Sequence, residues 1–487
     1  MDNEAKIPGT DEWYLMELAA EMGKDFPRLK RLESYCDGTF VVPIEADPSS
    51  REAYRKFAAK ARLTFANTIV EQKVGRMNFR GVRTAAEDDA NGDREANRLM
   101  RLNRFKVQLR DLLRKKSIHG RAFIVVGIDE FNEPFMTWRD QWTMRVRMNA
   151  LRPGVTEAAV IVSWDGVNKQ DVLTLLRPGY VRVAVKPAQS TTVPRDGSEW
   201  NPGNGWEWTS GPIPLGFTER CPVAVFENPE GLGEFENHLD SLDRVTQDIL
   251  ERLTTTAMQA FRQRAIQTGE QALPERYPDD HEERPGELID YDELFKSGPA
   301  ALWLLPRGAK VWESQPIDSR SLIVAENEDL KHLASVTGTP LYQLSPESNQ
   351  SAEGAKLQRE TIRSMIMDRR ERDAEPIAET LSLMFEALGD DVRADSAEIV
   401  TIWGQMEYVS KADVAEAARA AKQGGMSQRG INEHIYEMTP EEMAQEEQSL
   451  RDEQFQNSLM GVTLNAGNSG NGGAALAAQT STGGAAT

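Results

Sequence analysis

Apolar residues fall first into helical spacing. Leu15, Leu18 and Ala19 share one face, Gly23 interrupts them, and Phe26, Leu29, Leu32 and Tyr35 recur every three residues before the turn Asp37-Gly38. A third helix is predicted from Arg51, with Tyr54, Phe57 and Ala58 on one face, continuing toward Val70. The polar stretch 87–95 (EDDANGDRE) reads as a loop. A basic amphipathic helix follows through Leu99, Leu102, Phe105, Leu109, Leu112 and Leu113. From Arg121 to Phe226 the signal changes to strands. AFIVVGI, VTEAAVIVSW, DVLTLL and YVRVAV are β-branched or alternating, with Gly, Pro and Trp-rich turns such as 200–205 between them. This predicts a mainly antiparallel sheet of hairpins without intervening helices.

The longest uninterrupted helical signal runs from Glu236 to Gln267, where Leu239, Leu242, Val245, Ile249, Leu250, Leu253, Ala257 and Phe261 keep three- and four-residue spacing. At 1.5 Å per residue it would span roughly 48 Å. Residues 268–320 lose that regularity: HEERPGELIDYDE is acidic, and ALWLLPRGAKVWES is a short apolar run, a turn and a short strand. Helix is predicted again over Leu322–Ser335 and stops at the Gly and Pro of 336–340. A second long helix is predicted from about Ser351 to Leu388. It carries a cationic cluster, Lys356, Arg359, Arg363, Arg369, Arg370 and Arg372, inside an acidic chain. A short strand (397–403) follows. Ser410 and Asp413 would cap an Ala-rich helix ending at Gly424-Gly425, and Thr439-Pro440-Glu441-Glu442 fits a capping box with Pro at the first helical position. From Gly461 onward, Gly, Ala, Asn, Ser and Thr without charge predict a flexible tail. No repeat of fixed period is visible, and the fold class is α+β.

Composition narrows the function classes. The chain has 487 residues, a net charge of −20 and 39% apolar residues, enough for a core and for two to four substructures. The best apolar run, Ala122 to Ile128, is far short of a membrane span, and MDNEAKIPGT lacks the layout of a signal peptide. Cys36 and Cys221 are too few for a disulfide framework, which points to a reducing compartment. The negative charge disfavours a simple DNA coat.

Catalytic chemistry is hard to find. Phosphate-loop, dinucleotide and nucleophile-elbow patterns are absent. His119, His238, His281, His332 and His434 lie far apart, without the spacing of a zinc site. The acidic pairs Asp88-Asp89, Asp279-Asp280 and Asp390-Asp391 fall in turn-like stretches, where a solvated loop is the commoner meaning. No catalytic residue, metal or cofactor is assigned, and an enzyme is disfavoured.

The order of elements resembles the portal proteins of tailed bacteriophages, specifically the siphovirus-type family typical of actinobacterial phages. The resemblance is carried jointly by RLKRLESYCDG, FANTIVEQKVGRMNFRGV, KKSIHGRAFIVVG, PLGFTERCPVAVFENPEGLGEFENHLDSLDRVTQDIL and ASVTGTPLYQLSPESNQSAEGAK, spread over about residues 10–435. It implies a portal-type architecture. Residues 1–235 would be a wing of helices and antiparallel sheet, 236–267 the first stem helix and 268–320 a small clip. Next would come a second stem helix (321–337), a tunnel loop (338–350), a long helix returning to the wing (351–410), a helical crown (411–460) and the tail (461–487).

It further implies a ring, by resemblance a dodecamer, at one capsid vertex, in the host cytoplasm during assembly and then in the virion. Implied partners are the terminase large subunit, major capsid and scaffolding proteins, head-tail connector or adaptor proteins, and double-stranded DNA passing without sequence reading; no membrane is involved. Thr339, Tyr342 and Gln343 would be DNA neighbours by position, and the Lys356–Arg372 cluster would face a neighbouring subunit or a band of the bore. Another structural head protein, a connector or minor capsid component, is the alternative, and a hydrolase or nuclease comes third.

Overall fold

The computed structural model describes residues 7–42, 51–86, 93–152, 154–187, 205–260, 264–267, 274–282, 284–290, 310–313, 318–345, 352–406 and 410–467. The elements in chain order are α1 (Asp11–Asp37), α2 (Arg51–Ala61), α3 (Phe65–Val74), β1 (Phe79–Arg83), α4 (Arg94–Leu102) and α5 (Phe105–His119). Strands follow: β2 (Arg121–Ile128), β3 (Pro134–Asp140), β4 (Met144–Met148), β5 (Thr156–Asp165), β6 (Gln170–Arg177), β7 (Tyr180–Pro187), β8 (Glu207–Trp208), β9 (Ile213–Pro214) and β10 (Val223–Glu227). The remainder comprises α6 (Leu239–Ala260), β11 (Arg264–Gln267), β12 (Lys310–Glu313), α7 (Ser319–Thr337), α8 (Leu341–Leu344), α9 (Ala352–Leu388), β13 (Val400–Trp403), α10 (Lys411–Gln423), α11 (Gln428–His434) and α12 (Pro440–Gly467). By internal contacts the chain forms two units. One comprises Met1–Arg76, Val107–Val125 and Thr137–Pro376, the other Met77–Lys106, Val126–Met136 and Ile377–Thr487.

In the first unit, β4, β5, β6 and β7 form an antiparallel meander, with β8 and β9 both paired to β7. Alternation along β5 serves two cores. Ala158, Val160 and Val162 face the cluster built on α1 by Leu15, Leu18, Met22 and Phe26; Ala159 and Ile161 face Phe123, Cys221 and Val223. Strand pairing of β2 with β10 (Ala122↔Phe226, Ile124↔Ala224) is antiparallel as well. The expected break at Gly23 does not occur: α1 runs 27 residues through Gly23 and Pro27 and ends at Gly38 in the left-handed conformation. Burial of one continuous apolar face on the sheet outweighs the unfavourable local propensities.

Three other predicted helices change their bounds. The segment from Arg51 to Val70 is two helices, broken at 62–64, where the Thr64 carbonyl accepts the Thr68 N–H (3.1 Å) and starts α3 anew. The amphipathic helix through Leu113 is broken at Asn103-Arg104. The Asn103 side chain there accepts from the Met136 N–H and donates to the carbonyls of Leu99 and Pro134, while Arg104 takes a positive φ of 50°. Leu102, predicted apolar-face, is therefore exposed. Helix α6 ends at Ala260, and 264–267 is a strand antiparallel to 310–313. A ladder partner more than forty residues away replaces the helical hydrogen bonds that periodicity alone assigned. Within the irregular excursion, 268–273, 283, 291–309 and 314–317 lie outside the described residues, as do 87–92 of the polar loop and the 200–204 turn.

The second unit pairs β1 antiparallel to β13, with Phe79 against Phe105 (5.5 Å) and Trp403 (5.6 Å). Asp93 caps α4 by accepting from the N–H groups of Glu95 and Ala96, and it also takes the Thr84 hydroxyl and Arg393 (2.7 Å). The predicted capping box is formed in both directions: Thr439 Oγ1 accepts the Glu442 N–H at 3.3 Å, and Glu442 Oε2 accepts the Thr439 N–H at 2.8 Å. Ser410 likewise accepts from the Asp413 N–H. Helix α12 continues through Gly461 to Gly467, so 461–467 are helical where a flexible tail was expected. One glycine costs about 1 kcal/mol, which an otherwise propagating helix absorbs. Residues 468–487 lie outside the described residues. Asp390 is a turn residue held by the Arg393 N–H and guanidinium, so this member of the pair Asp390-Asp391 is structural.

Candidate functional site

Two helices, the loop between them and the next helix, and a strap of chain form the region of interest, all within the first unit. Helices α6 and α7 run antiparallel. Arg244 meets Asp329 at 3.0 Å while Arg252, two turns further on, meets Glu326 at 2.7 Å, earlier in α7. Asp248 lies between them. Burial, then the Asp329 carboxylate and the charges of Glu251 and Glu326, push its carboxyl up to about 6.

Helix α7 stops at Gly338, which takes φ 63° and donates its N–H to the Ala334 and Ser335 carbonyls. The left-handed backbone favours glycine at this position. A Cβ would lie in the left-handed region and 2.3 Å from Met365 Sδ of α9. Beyond it, the expected loop 338–350 contains a helical turn, α8, with Leu341 and Leu344 buried; residues 346–350 lie outside the described residues. Of the three position-based candidates, Thr339 is 2% exposed and bonded through its hydroxyl to Thr337 (3.0 Å). Gln343 accepts from Gln72 of α3 (3.0 Å), and only Tyr342 is exposed.

The strap, residues 228–238, crosses the end of α5 so closely that side chains are excluded. A Cβ on Gly233 would come within 2.2 Å of the Ile118 carbonyl oxygen, and one on Gly120 within 2.0 Å of the Gly231 oxygen. The strap delivers Glu234 into the interior, where Lys73 Nζ (2.7 Å) and Arg369 Nε (2.6 Å) donate to it. Burial alone would push the Glu234 carboxyl up, but these two cations outweigh it and hold it at about 2. Beside it, Lys116 donates to both oxygens of the fully buried Asp373 at 2.7 Å. Arg28 forks onto both oxygens of Glu236 at 2.6 Å and reaches the His119 carbonyl.

The cationic cluster on α9 is therefore divided. Arg369 and Arg370 are committed within the chain, the latter to the Arg76 carbonyl (2.6 Å), and Arg372 pairs with Asp368 at the surface. Arg359 and Arg363 are exposed. Lys356 lies on the helix, its side chain outside the described residues. Among the described residues no group of three or more His, Cys, Asp or Glu is placed to hold a metal ion. What the arrangement can do is mechanical: it ties strap, α3, α5 and α9 together by charge.

Residues 16–456 match the family model described as phage portal protein, SPP1 Gp6-like. The chain belongs to that family. No curated protein matches it. As a portal protein it is a structural, non-enzymatic component of the virion, forming a ring at one capsid vertex through which DNA is packaged and ejected. Membership implies contacts with capsid proteins and removes the connector and hydrolase alternatives. No described helix of the portal chain is long and apolar enough to cross a membrane.

Sequence reasoning missed Glu234, Lys73, Lys116 and Asp373. A signal existed for two of them. Asp373 continues the spacing of Ile362, Ile366 and Arg370, all buried, so a charged residue stands at an inward position. For Glu234 the closely spaced Gly231 and Gly233 mark a chain passing tightly over another element.

Proposed function

We propose that this portal protein is of the siphovirus, actinobacteriophage-like type and assembles as a dodecamer. Residues 1–235 form the wing, 236–267 and 321–337, which are built on α6 and α7, the stem, 268–320 the clip, 338–350 the tunnel loop and 411–460 the crown; 351–410 return from the stem to the wing. The observation that carries this reading is the antiparallel α6–α7 pair, entered and left by the β11–β12 ladder and followed by a capped loop and a 37-residue helix.

In this reading the clip receives the terminase large subunit during packaging and head-tail connector or adaptor proteins afterwards. The wing and crown meet major capsid and scaffolding proteins. Double-stranded DNA passes without sequence readout. A net charge of −20 suits that role, because each Lys or Arg contact to phosphate adds salt-dependent affinity that would hold sliding DNA. Of the position-based loop candidates, Tyr342 is the one with exposed surface to offer DNA, and among the described side chains of the cluster Arg359 and Arg363 are the cations left for a neighbouring subunit or the bore.

Native mass spectrometry with negative-stain imaging tests the assembly. Twelve copies of 54.5 kDa give about 650 kDa in annular particles. A compact oligomer without a central hole would contradict it.

A further inference from the structure

A cleft of about 540 Å³ opens between residues 225–230 and the 368–376 stretch of α9. Its walls carry Glu227, Glu230, Asp368, Glu371 and Glu375 against one cation, Arg372. Arg121 pairs with Glu227, and Arg369 and Arg372 pair with Asp368. Glu371 and Glu375 are exposed and have no partner among the described residues.

Asn228 lines the same cleft and is 2% exposed. Its amide NH2 donates to the carbonyls of Lys116 (3.3 Å) and Leu232 (3.1 Å), which leaves its Oδ1 buried without a donor. An orphaned buried acceptor costs roughly 1–3 kcal/mol. The cleft is thus short of both positive charge and hydrogen-bond donors, and a guanidinium supplies both.

We propose that a neighbouring copy of this chain inserts Arg359 and Arg363 of its α9 into this cleft, against Glu371 and Glu375; the proposal rests on the ring reading above. Arg359 and Arg363 are exposed and paired with no described residue. Both pairs are four residues apart, so each presents its two charges on one helix face, about 6 Å apart. The pairs are offset by twelve residues, about 18 Å along the axis and about 120° around it. Donor and acceptor faces of one helix therefore point in different directions. A two-fold dimer needs one self-complementary face, whereas two distinct faces generate a head-to-tail contact that repeats around a closed ring.

Charge reversal separates the possibilities. E371R/E375R alone juxtaposes like charges, and so does R359E/R363E alone; each is expected to lower the ring fraction in native mass spectra at least about tenfold. Mixed in equal amounts, the two variants present every contact with opposite charges again, and rings of alternating composition are expected to return. That recovery also shows that both variants are folded. Rings that persist in both variants alone overturn the proposal and leave the ring reading standing. So does a mixture that stays dissociated while both variants keep the far-UV circular dichroism of the parent. A parent chain that forms no ring overturns the two together.

Discussion

Glu234 lies 4% exposed between Lys73 and Arg369 and is held down at about 2, whereas Asp248, on α6 beside Asp329, is pushed up to about 6. In both places burial opposes the charged form; what differs is the local count of cations. Around Glu234 two cations converge on one carboxylate. Between α6 and α7, Arg244 and Arg252 face Asp248, Glu251, Glu326 and Asp329, so carboxylates crowd one another. The first contact is a fixed joint. The second is a helix contact whose strength depends on proton concentration, and it lies on the pair of helices assigned to the stem.

The pH dependence of the two contacts has opposite sign. Glu234 has a folded pKa below its unfolded value, so it stabilises above about 4.5, and that contribution is lost as pH falls toward about 2. Asp248 has a folded pKa above its unfolded value. The folded state binds its proton more tightly, so stability from this group is full below about 4 and lost as pH rises through about 6.

The largest expected effect comes from breaking the joint. Glu234→Ala leaves Lys73 buried without a counter-charge and Arg369 with Asp368 as its remaining carboxylate, and is expected to cost about 3–5 kcal/mol in chemical denaturation at pH 7. A loss under about 1 kcal/mol would show that water or repacking replaces the carboxylate. Next, Asp373→Leu alone should cost a comparable amount by stranding Lys116, while Asp373→Leu with Lys116→Met should recover most of it. Additive losses in the double variant would mean that volume, and not charge, matters there. The smallest effect belongs to the α6–α7 contact. Asp248→Asn removes the like-charge repulsion and is expected to raise stability by less than about 1 kcal/mol at pH 7. Melting curves between pH 4 and 7 should then lose the decline seen in the parent; an unchanged slope would place the titrating group elsewhere.

The two regions were also unequally legible in the sequence. Helix α9 was readable almost to the residue, since its spacing and the Gly and Pro before it are local signals. The capping box at Thr439 and the cap at Ser410 were readable for the same reason. The far end of α6 was not, because the strand after it exists only through residues 310–313, and helical spacing continues unbroken through Phe261. The arginine cluster was visible as charge but not as contact. Arg369 is matched by a glutamate 135 residues earlier and Arg370 by a backbone carbonyl of residue 76, pairings that no periodicity encodes. Family resemblance supplied the assembly, which a single chain's pattern of apolar positions does not.

Both thiols, Cys36 and Cys221, are buried, and burial pushes the Cys36 thiol up to about 12. Only thiolates attack disulfides or take up oxidants readily, so the Cys36 sulfur is chemically silent in the folded chain, and burial shields the Cys221 sulfur from reagents. A virion leaves the reducing interior where it is assembled and waits, without metabolism, in oxygenated surroundings. A ring multiplies every exposed thiol by its subunit number and places the copies at fixed separations, which invites cross-links that would lock the vertex. With both sulfurs inside the packed core, the vertex needs no reductant to stay operable until the next host is met.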